Sequence, residues 1–159
     1  MRRGVRLGVD VGTVRIGVAR TDPEGILTLP VETLRRSDDG SELDRLVGIA
    51  REFDAIEVVV GLPRHLRGTE GVSAKGARRY AARILQALPD VRVCLVDERL
   101  SSNQAHQRLR DSGVPEREHR DVVDQVAAQV ILEQALEEER LGRRAPGTQV
   151  EPRTTKGRQ

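Results

Sequence analysis

Two apolar runs constrain the fold of this chain more than any other feature of its sequence. Residues 55–62 contain three consecutive valines, and residues 91–97 form a second run of the same kind. Continuous β-branched runs without polar alternation are typical of strands that are buried on both faces of a sheet. Such a sheet needs helices on both of its sides, so the sequence predicts an α/β fold.

The segments around these runs predict the order of the other elements. Three extended segments joined by short turns come first and indicate an antiparallel meander. Segments whose apolar residues recur at helical spacing lie between the later strands, which implies right-handed parallel crossovers. The prediction is a mixed five-stranded sheet, three antiparallel strands followed by β-α-β crossovers, flanked by helices. The additional segments are strands 5–11, 16–20 and 26–34, a first helix with Ser41 as its N-cap, and helices 73–88, 101–112 and 120–141.

A single carboxylate, Asp10, lies inside the first apolar segment. Carboxylates are rarely buried unless they are paired with a cation or bound to a metal. Gly12 and Gly17 bracket a tight turn into the next strand, so Asp10 is predicted to lie in the sheet beside a turn. Its partner is either an ordinary core group, such as backbone or Arg15, or a metal ion at a functional site.

This topology brings two further pairs of acids towards Asp10. Asp97 and Glu98 end the second buried strand, and functional groups gather at strand ends in open α/β sheets. Asp121 and Asp124 open the last helix, three residues apart and therefore on one face. That face continues with small and aliphatic residues and is predicted to pack inward. These residues are Ala127, Ala128, Ile131 and Ala135.

Carboxylates that lie together repel one another, so a cluster of Asp10, Glu98 and Asp124 would need a divalent cation. Oxygen ligands without a suitable His or Cys partner favour Mg²⁺ or Mn²⁺ over zinc. Such a site serves two-metal hydrolysis of a phosphodiester. Two alternatives stay open. Asp124 could act only by stabilising its helix through the helix dipole. Strand alternation does not choose between Asp97 and Glu98 when both sheet faces are covered.

Five loop residues next to these acids are candidate contacts to a nucleic acid. Two lie in the turn after Asp10, two in the basic loop that follows residues 55–62, and one directly after Glu98. They are Thr13, Arg15, Arg64, Arg67 and Arg99. Arginine suits phosphate because its planar guanidinium matches phosphate geometry. Aromatic residues are almost absent, so a nucleic acid would be held mainly by its backbone and not by stacked bases.

The charges of the chain are distributed unevenly along its 159 residues, a length that suits one domain. The 27 basic and 25 acidic residues nearly cancel, whereas residues 140–159 hold six basic residues against the single Glu151, a net charge of +5. The segment from residue 142 is rich in Gly, Pro, Arg and Thr and has no periodicity. We therefore predict a folded domain of residues 1–141 and a disordered basic tail of residues 142–159 that adds electrostatic affinity for phosphate.

Other classes of protein are disfavoured by what the sequence lacks. Cys94 is the only cysteine, so one chain cannot form a disulfide or a cysteine zinc site. No apolar stretch approaches the length of a membrane span, and no signal-peptide cleavage site follows the first arginines. The sequence predicts a cytoplasmic protein that does not contact a membrane.

Four motifs, taken together, resemble the YqgF family, also called RuvX, of the ribonuclease H-like superfamily. This family includes pre-16S ribosomal RNA nucleases and Holliday junction resolvase-like proteins. The motifs follow in order within about residues 5–136. They are residues 10–19 (DVGTVRIGVA), 61–63 with 68–71 (GLP with GTEG), 97–102 (DERLSS) and 123–128 (VDQVAA).

The resemblance implies that residues 1–141 are a ribonuclease H-like nuclease domain. It implies that Asp10, Glu98 and Asp124 are the catalytic acids that bind Mg²⁺ or Mn²⁺, and it favours Glu98 over Asp97. The implied activity is metal-dependent hydrolysis in the 5′-end maturation of precursor 16S ribosomal RNA. The implied partners are precursor rRNA and ribosomal particles.

Three other functions stay open on the sequence. A resolvase-like endonuclease would act on branched DNA, and it would require a homodimer because junction resolution needs two active sites. A ribosome assembly factor would bind RNA without cutting it. An ATP-binding enzyme of the sugar kinase and actin type has the same Asp-x-Gly-Thr motif at Asp10, but it needs a second lobe for which this chain is too short.

Overall fold

The computed structural model describes residues 1–63, 71–98, 110–113 and 119–152, which form a single sheet with helices on both faces. Each long element coincides with a segment that the sequence pattern predicts. The elements are β1 (Arg6–Val11), β2 (Arg15–Thr21), β3 (Thr28–Arg35), α1 (Ser41–Glu52), β4 (Glu57–Pro63), α2 (Val72–Ala87), β5 (Arg92–Glu98), α3 (His119–Gly142) and β6 (Thr148–Gln149).

The sheet is mixed, and its strand order is β3-β2-β1-β4-β5-β6. β1 pairs antiparallel with β2, and β2 with β3, which confirms the predicted meander. β1 pairs parallel with β4, and β4 with β5. The carboxyl ends of these three strands therefore meet at one edge of the sheet, where Asp10 and Glu98 lie.

The three valines of β4 divide between two hydrophobic cores. Val58 and Val60 belong to the larger core, which α1 and α2 cover, and Val59 belongs to a smaller core beneath α3. All three are fully buried. This confirms the prediction of a strand with both faces covered. Among the helices of the described ranges, none has both the length and the apolar character that crossing a lipid bilayer requires.

Glycines on the sheet allow α3 to lie close to it. A Cβ built at Gly8 would lie 2.6 Å from the carbonyl oxygen of Ala128, and one built at Gly17 would lie 2.0 Å from that of Asp124. Both distances are shorter than van der Waals contact permits, and both end on helix backbone. The absence of side chains at these two positions is what brings the first turns of α3 against β1 and β2.

Two predicted boundaries are wrong for local reasons. Ser41 is not the N-cap of α1 but its first residue, because Gly40 takes the cap position in a left-handed conformation with φ 73°. The third strand begins at Thr28 and not at Ile26. The Asp22 carboxylate accepts the N–H groups of Ile26 and Leu27, both at 2.7 Å, and holds them in the turn. Most of the predicted helix 101–112 lies outside the described residues.

The segment after residue 142 is partly ordered, which corrects the prediction of a disordered tail. β6 pairs antiparallel with β5 and makes a sixth strand where five were expected. The N–H of Val150 donates to the carbonyl of Val93 at 2.8 Å, and the Val150 side chain packs against the larger core. Arg92 donates to the carbonyl of Pro146 at 2.8 Å. The folded domain therefore continues beyond residue 141, and only residues 153–159 of the predicted tail lie outside the described part.

Truncation after Leu141 is expected to destabilise the protein by about 1–3 kcal/mol, because it removes the β6 hydrogen bonds and the Val150 packing and exposes the edge of β5. Urea unfolding measures the change, with truncation after Pro152 as the reference. An unchanged unfolding midpoint after truncation at Leu141 would show that residues 142–152 do not contribute to the fold.

Candidate active site

Three carboxylates lie on the face of the sheet that α3 covers. Asp10 follows Gly8 by two residues on β1, and Glu98 follows Val96 by two residues on β5, so that strand alternation directs both towards α3. Asp124 lies in the second turn of α3 itself, and its side chain is 19% exposed. Asp10 and Glu98 are half-buried. The carboxyl edge of the parallel strands and the start of α3 thus supply the three acids together.

Asp97, the neighbour of Glu98, lies on the opposite face of the sheet. Alternation places it with Leu95, which belongs to the core beneath α1 and α2, and the Asp97 side chain is exposed. The sequence left the choice between these two acids open. In the structure Glu98 faces α3, whereas Asp97 occupies the alternate strand position and is exposed.

Two glycines of the sheet leave room for Asp124 and Glu98. Gly17 on β2 lies against the backbone of Asp124, and a Cβ at Gly61 on β4 would lie 3.1 Å from Oε2 of Glu98. Gly61 is therefore close to the carboxylate of the neighbouring strand. These glycines belong to the motifs found in the sequence, and their role is to leave room for the site.

The acids interact electrostatically through Asp10. Burial, together with the charge of Asp124, raises the pKa of Asp10 to about 6. Burial, together with the charge of Asp10, raises the pKa of Glu98 to about 8. Both shifts mean that the fold disfavours the negative charges of these two groups. A bound cation would reverse this preference.

Among the described residues, Arg15 supplies a cation to the site. Its Nε donates to Oδ2 of Asp124 at 2.9 Å, and the Arg15 side chain is 39% exposed. Asp124 is thus paired, whereas Asp10 has no cationic partner among the described residues. The sequence alternatives for the partner of Asp10 included Arg15, but the structure pairs Arg15 with Asp124.

Arg36, which sequence reasoning missed, holds the turn between β1 and β2. Its Nη1 donates to the carbonyl of Gly12 at 2.9 Å, and its backbone N–H donates to the carbonyl of Val14 at 2.8 Å. The turn is closed by the N–H of Gly12, which donates to the carbonyl of Arg15 at 2.9 Å. The turn also carries Thr13, which is exposed. Nothing in the local sequence indicates this role, because it depends on where β3 ends.

The donor set fits a hard divalent cation in its chemistry, since the three acids offer only carboxylate oxygens. Within the described ranges, no three Asp, Glu, His or Cys side chains already converge as a metal site. Arg15 occupies one oxygen of Asp124 instead. A metal ion held by all three acids would therefore compete with Arg15 for the charge of Asp124.

Four predicted site residues cannot be compared with this geometry. Arg64, Arg67 and Arg99 lie outside the described residues. Asp121 lies one turn before Asp124 on α3, but its side chain is also outside the described part. Their roles stay predictions.

Comparison with known proteins identifies the family. Residues 4–138 match the family model described as "RuvX: Holliday junction resolvase". The chain belongs to the RuvX family. The match covers all three acids and ends within α3, so that Asp10, Glu98 and Asp124 lie inside the region that defines RuvX proteins.

Curated relatives of this RuvX protein share about half of its residues. A protein of Streptomyces coelicolor named "Putative pre-16S rRNA nuclease" is 51% identical over 151 residues, which cover 95% of this chain and 90% of that protein. A protein of the same name from Nocardia farcinica is 47% identical over 161 residues, which cover 98% of this chain and 89% of that protein. Both relatives match almost the full chain.

Solved structures with low sequence identity share the RuvX fold. Thermus thermophilus RuvC in complex with a Holliday junction substrate aligns with a TM-score of 0.54 at 17% identity, and covers 90% of this chain and 99% of that chain. The Fowlpox virus resolvase in complex with junction DNA aligns with a TM-score of 0.52 at 8% identity, and covers 84% and 97%. These alignments confirm the ribonuclease H-like α/β fold predicted from the sequence.

Proposed function

We propose that this protein is a divalent-metal-dependent nuclease that acts in the 5′-end maturation of precursor 16S rRNA. The observation that carries the proposal is the grouping of Asp10, Glu98 and Asp124 on the α3 side of the sheet edge. The charge of Asp124 raises the pKa of Asp10, and the charge of Asp10 raises the pKa of Glu98. Membership of the RuvX family and the names of the relatives support a nuclease and the rRNA substrate. A cytoplasmic role with ribosomal particles as partners follows from that substrate.

The three acids would hold Mg²⁺ or Mn²⁺ in this proposal. The chemistry that bound divalent ions supply is Lewis-acid stabilisation of the charge that develops on a phosphodiester, in the two-metal form of this mechanism. Asp10 and Glu98 would hold their ions from rigid strands, so that their carboxylates are oriented by the sheet. Arg15, once released by Asp124, would be free to donate to a phosphate oxygen of the substrate.

Replacing Arg15 with Gln is expected to tighten metal binding by up to about fivefold, because a partly exposed ion pair of this kind contributes about 0.2–1 kcal/mol and would no longer compete for Asp124. Calorimetric titration with Mn²⁺ measures this change. The Arg15→Lys variant, which keeps the charge, is the control and should stay closer to the wild-type affinity. Weaker Mn²⁺ binding by Arg15→Gln would contradict competition between Arg15 and the metal.

Branched DNA is the second candidate substrate, and the description of the family model favours it. Metal-bound carboxylates can attack either backbone, so the site itself does not select RNA. Cleavage of a four-way junction in paired strands would require a homodimer, since each active site cuts one strand.

One experiment separates these substrates and the non-catalytic alternative. Purified protein is incubated with labelled precursor 16S rRNA or with a labelled four-way junction, in Mg²⁺, Mn²⁺ or EDTA. We expect cleavage of the precursor near the mature 5′ end in either metal and none in EDTA. Cleavage of the junction alone would favour the resolvase function. Tight RNA binding with no cleavage in any metal would favour the function of a non-catalytic ribosome assembly factor.

A further inference from the structure

A second charged region lies at the end of α3 that is remote from the carboxylates. Arg140, Arg143 and Arg144, together with Arg2, line an open pocket where the C-terminal end of α3 meets the first residues of the chain. The other residues that line it are Met1, Glu139 and Ala145. None of these residues belongs to the candidate active site.

The one acid in this pocket is already neutralised from within the protein. Glu139 is 4% exposed, and each of its two carboxylate oxygens accepts a hydrogen bond from an arginine. Arg2 Nη2 lies 2.6 Å from Oε1, and Arg6 Nη2 lies 3.0 Å from Oε2. The hydrogen bonds from Arg2 outweigh the effect of burial and hold the pKa of Glu139 at about 2. Glu139 therefore fixes Arg2 in the wall of the pocket and offers no free negative charge to the other arginines.

The remaining arginines of the pocket are available to a ligand. The side chains of Arg140, Arg143 and Arg144 are exposed. Within the part of the chain that the structure describes, they make no salt bridge and no side-chain hydrogen bond. Guanidinium groups in such an arrangement recognise phosphate through paired N–H donors. The pocket therefore presents an unneutralised cationic surface.

The backbone conformation of Arg143 independently indicates that this side chain has a function in the pocket. Arg143 has a left-handed conformation with φ 55°, and its N–H donates to the carbonyl of Glu139 at 2.8 Å. This is the position after a helix that glycine usually takes, because a side chain there is strained. Gly142 comes one residue too early to take it. A strained residue that places its charge in a pocket points to a function for that side chain.

We propose that this pocket binds a backbone phosphate of the RNA substrate at a distance from the bond that is cut. The proposal rests on the proposed nuclease function, and it adds that the substrate is a helical RNA. From Asp124 to Arg140, α3 advances 16 residues, or about 24 Å. A base pair of an A-form RNA helix advances less along the axis than the ~3.4 Å of DNA, so the two contacts are about eight to nine base pairs apart.

The surface between the two sites favours a duplex over a single strand. Glu133 and Glu137 are exposed on α3 between Asp124 and Arg140. A flexible strand that followed the helix would meet these acids and be repelled. A stiff duplex can instead bridge from the carboxylates to the arginine pocket without lying on α3. The pocket would thus select substrates with a paired stem longer than about eight to nine base pairs.

The test compares two double variants of equal charge loss. In Arg140→Gln with Arg144→Gln the pocket loses two cations, whereas in Lys75→Gln with Arg79→Gln two exposed cations are lost from α2, on the other face of the sheet. Binding of an RNA duplex of about 20 base pairs is measured in EDTA at several salt concentrations. The pocket variant should bind about tenfold more weakly, and the slope of log affinity against log salt should fall by about one to two units, while the α2 variant changes little.

Arg143→Gly is a second variant that tests the pocket if the double variant folds poorly. This substitution removes the charge and also the left-handed strain, so we expect a higher melting temperature together with weaker RNA binding. Equal binding by the two double variants, or wild-type binding by Arg143→Gly, would overturn the proposal. Because binding is measured without metal, these results do not depend on cleavage. Metal-dependent cutting of a stem of about six base pairs, which cannot reach the pocket, should be unchanged in the pocket variant and reports separately on the nuclease function.

Discussion

Replacing Asp10 with Asn is expected to abolish cleavage while raising the melting temperature of the metal-free protein. Activity should fall by at least about a thousandfold, because a metal ligand at the reacting phosphate is lost. Stability should rise because the fold disfavours the charge of Asp10, whose pKa is raised to about 6. This rise in the pKa of Asp10 corresponds to a gain in unfolding free energy of up to about 3 kcal/mol at a pH where Asp10 is ionised. The equivalent Glu98→Gln and Asp124→Asn variants should also lose cleavage.

The sign of the pH dependence follows from the raised pKa. A carboxyl that binds its proton more tightly in the folded state makes the wild-type protein lose stability as pH rises from its unfolded value, about 4, through the folded value. The advantage of Asp10→Asn should therefore be absent near pH 4, grow up to about pH 6 and level off above it. For Glu98→Gln the same growth should extend to about pH 8. Thermal unfolding in EDTA across this range measures both curves.

Asp97→Asn is the matched control for these variants, since Asp97 is the adjacent acid on the other face of the sheet. It should retain cleavage. If Asp97→Asn loses activity and Glu98→Gln keeps it, the assignment of the strand-end ligand is wrong. If all three acid variants cut normally, the mechanism itself is wrong.

Gly17→Ala is expected to be the most destabilising change of a single methyl group in the site. The added Cβ would lie 2.0 Å from the carbonyl oxygen of Asp124, and neither the strand nor the helix backbone can yield locally. α3 would have to move away from the sheet, which opens the smaller core and displaces Asp124. We expect a loss of about 2–4 kcal/mol in urea unfolding, together with a loss of cleavage.

Gly48→Ala is the control for this substitution. Gly48 is exposed in the middle of α1, and a Cβ there has no atom within 4 Å. The variant should gain about 0.5–1 kcal/mol, because alanine is the better helix former. If Gly17→Ala unfolds with the same urea midpoint as the wild type, α3 does not depend on the close approach at this glycine.

The sequence predicted those parts of the fold that depend on local pattern. Val58 to Val60 had to be buried on both faces, and the structure places them in two cores. β6 could not be found in this way, because a strand of two exposed residues has no apolar alternation. It forms because the β5 edge is available for pairing, which is a contact between distant parts of the chain.

The candidate site divides in the same way. Glycines and acids in short motifs indicated Asp10, Glu98 and Asp124, and alternation on an observed strand then separated Glu98 from Asp97. The ion pair of Arg15 with Asp124 and the contact of Arg36 with Gly12 were not predictable, because each joins segments whose spacing only the folded sheet fixes. The cationic pocket at Arg143 was also hidden, since the sequence showed only a basic segment.

Anomalous diffraction from crystals soaked in Mn²⁺ tests the central proposal most directly. We expect a strong anomalous peak within about 2.0–2.4 Å of carboxylate oxygens from Asp10, Glu98 and Asp124, with Arg15 withdrawn from Asp124. Crystals of the Asp10→Asn variant should show a much weaker peak or none. A fully occupied Mn²⁺ at another place, with the pair of Arg15 and Asp124 intact and no peak among the three acids, would contradict the account.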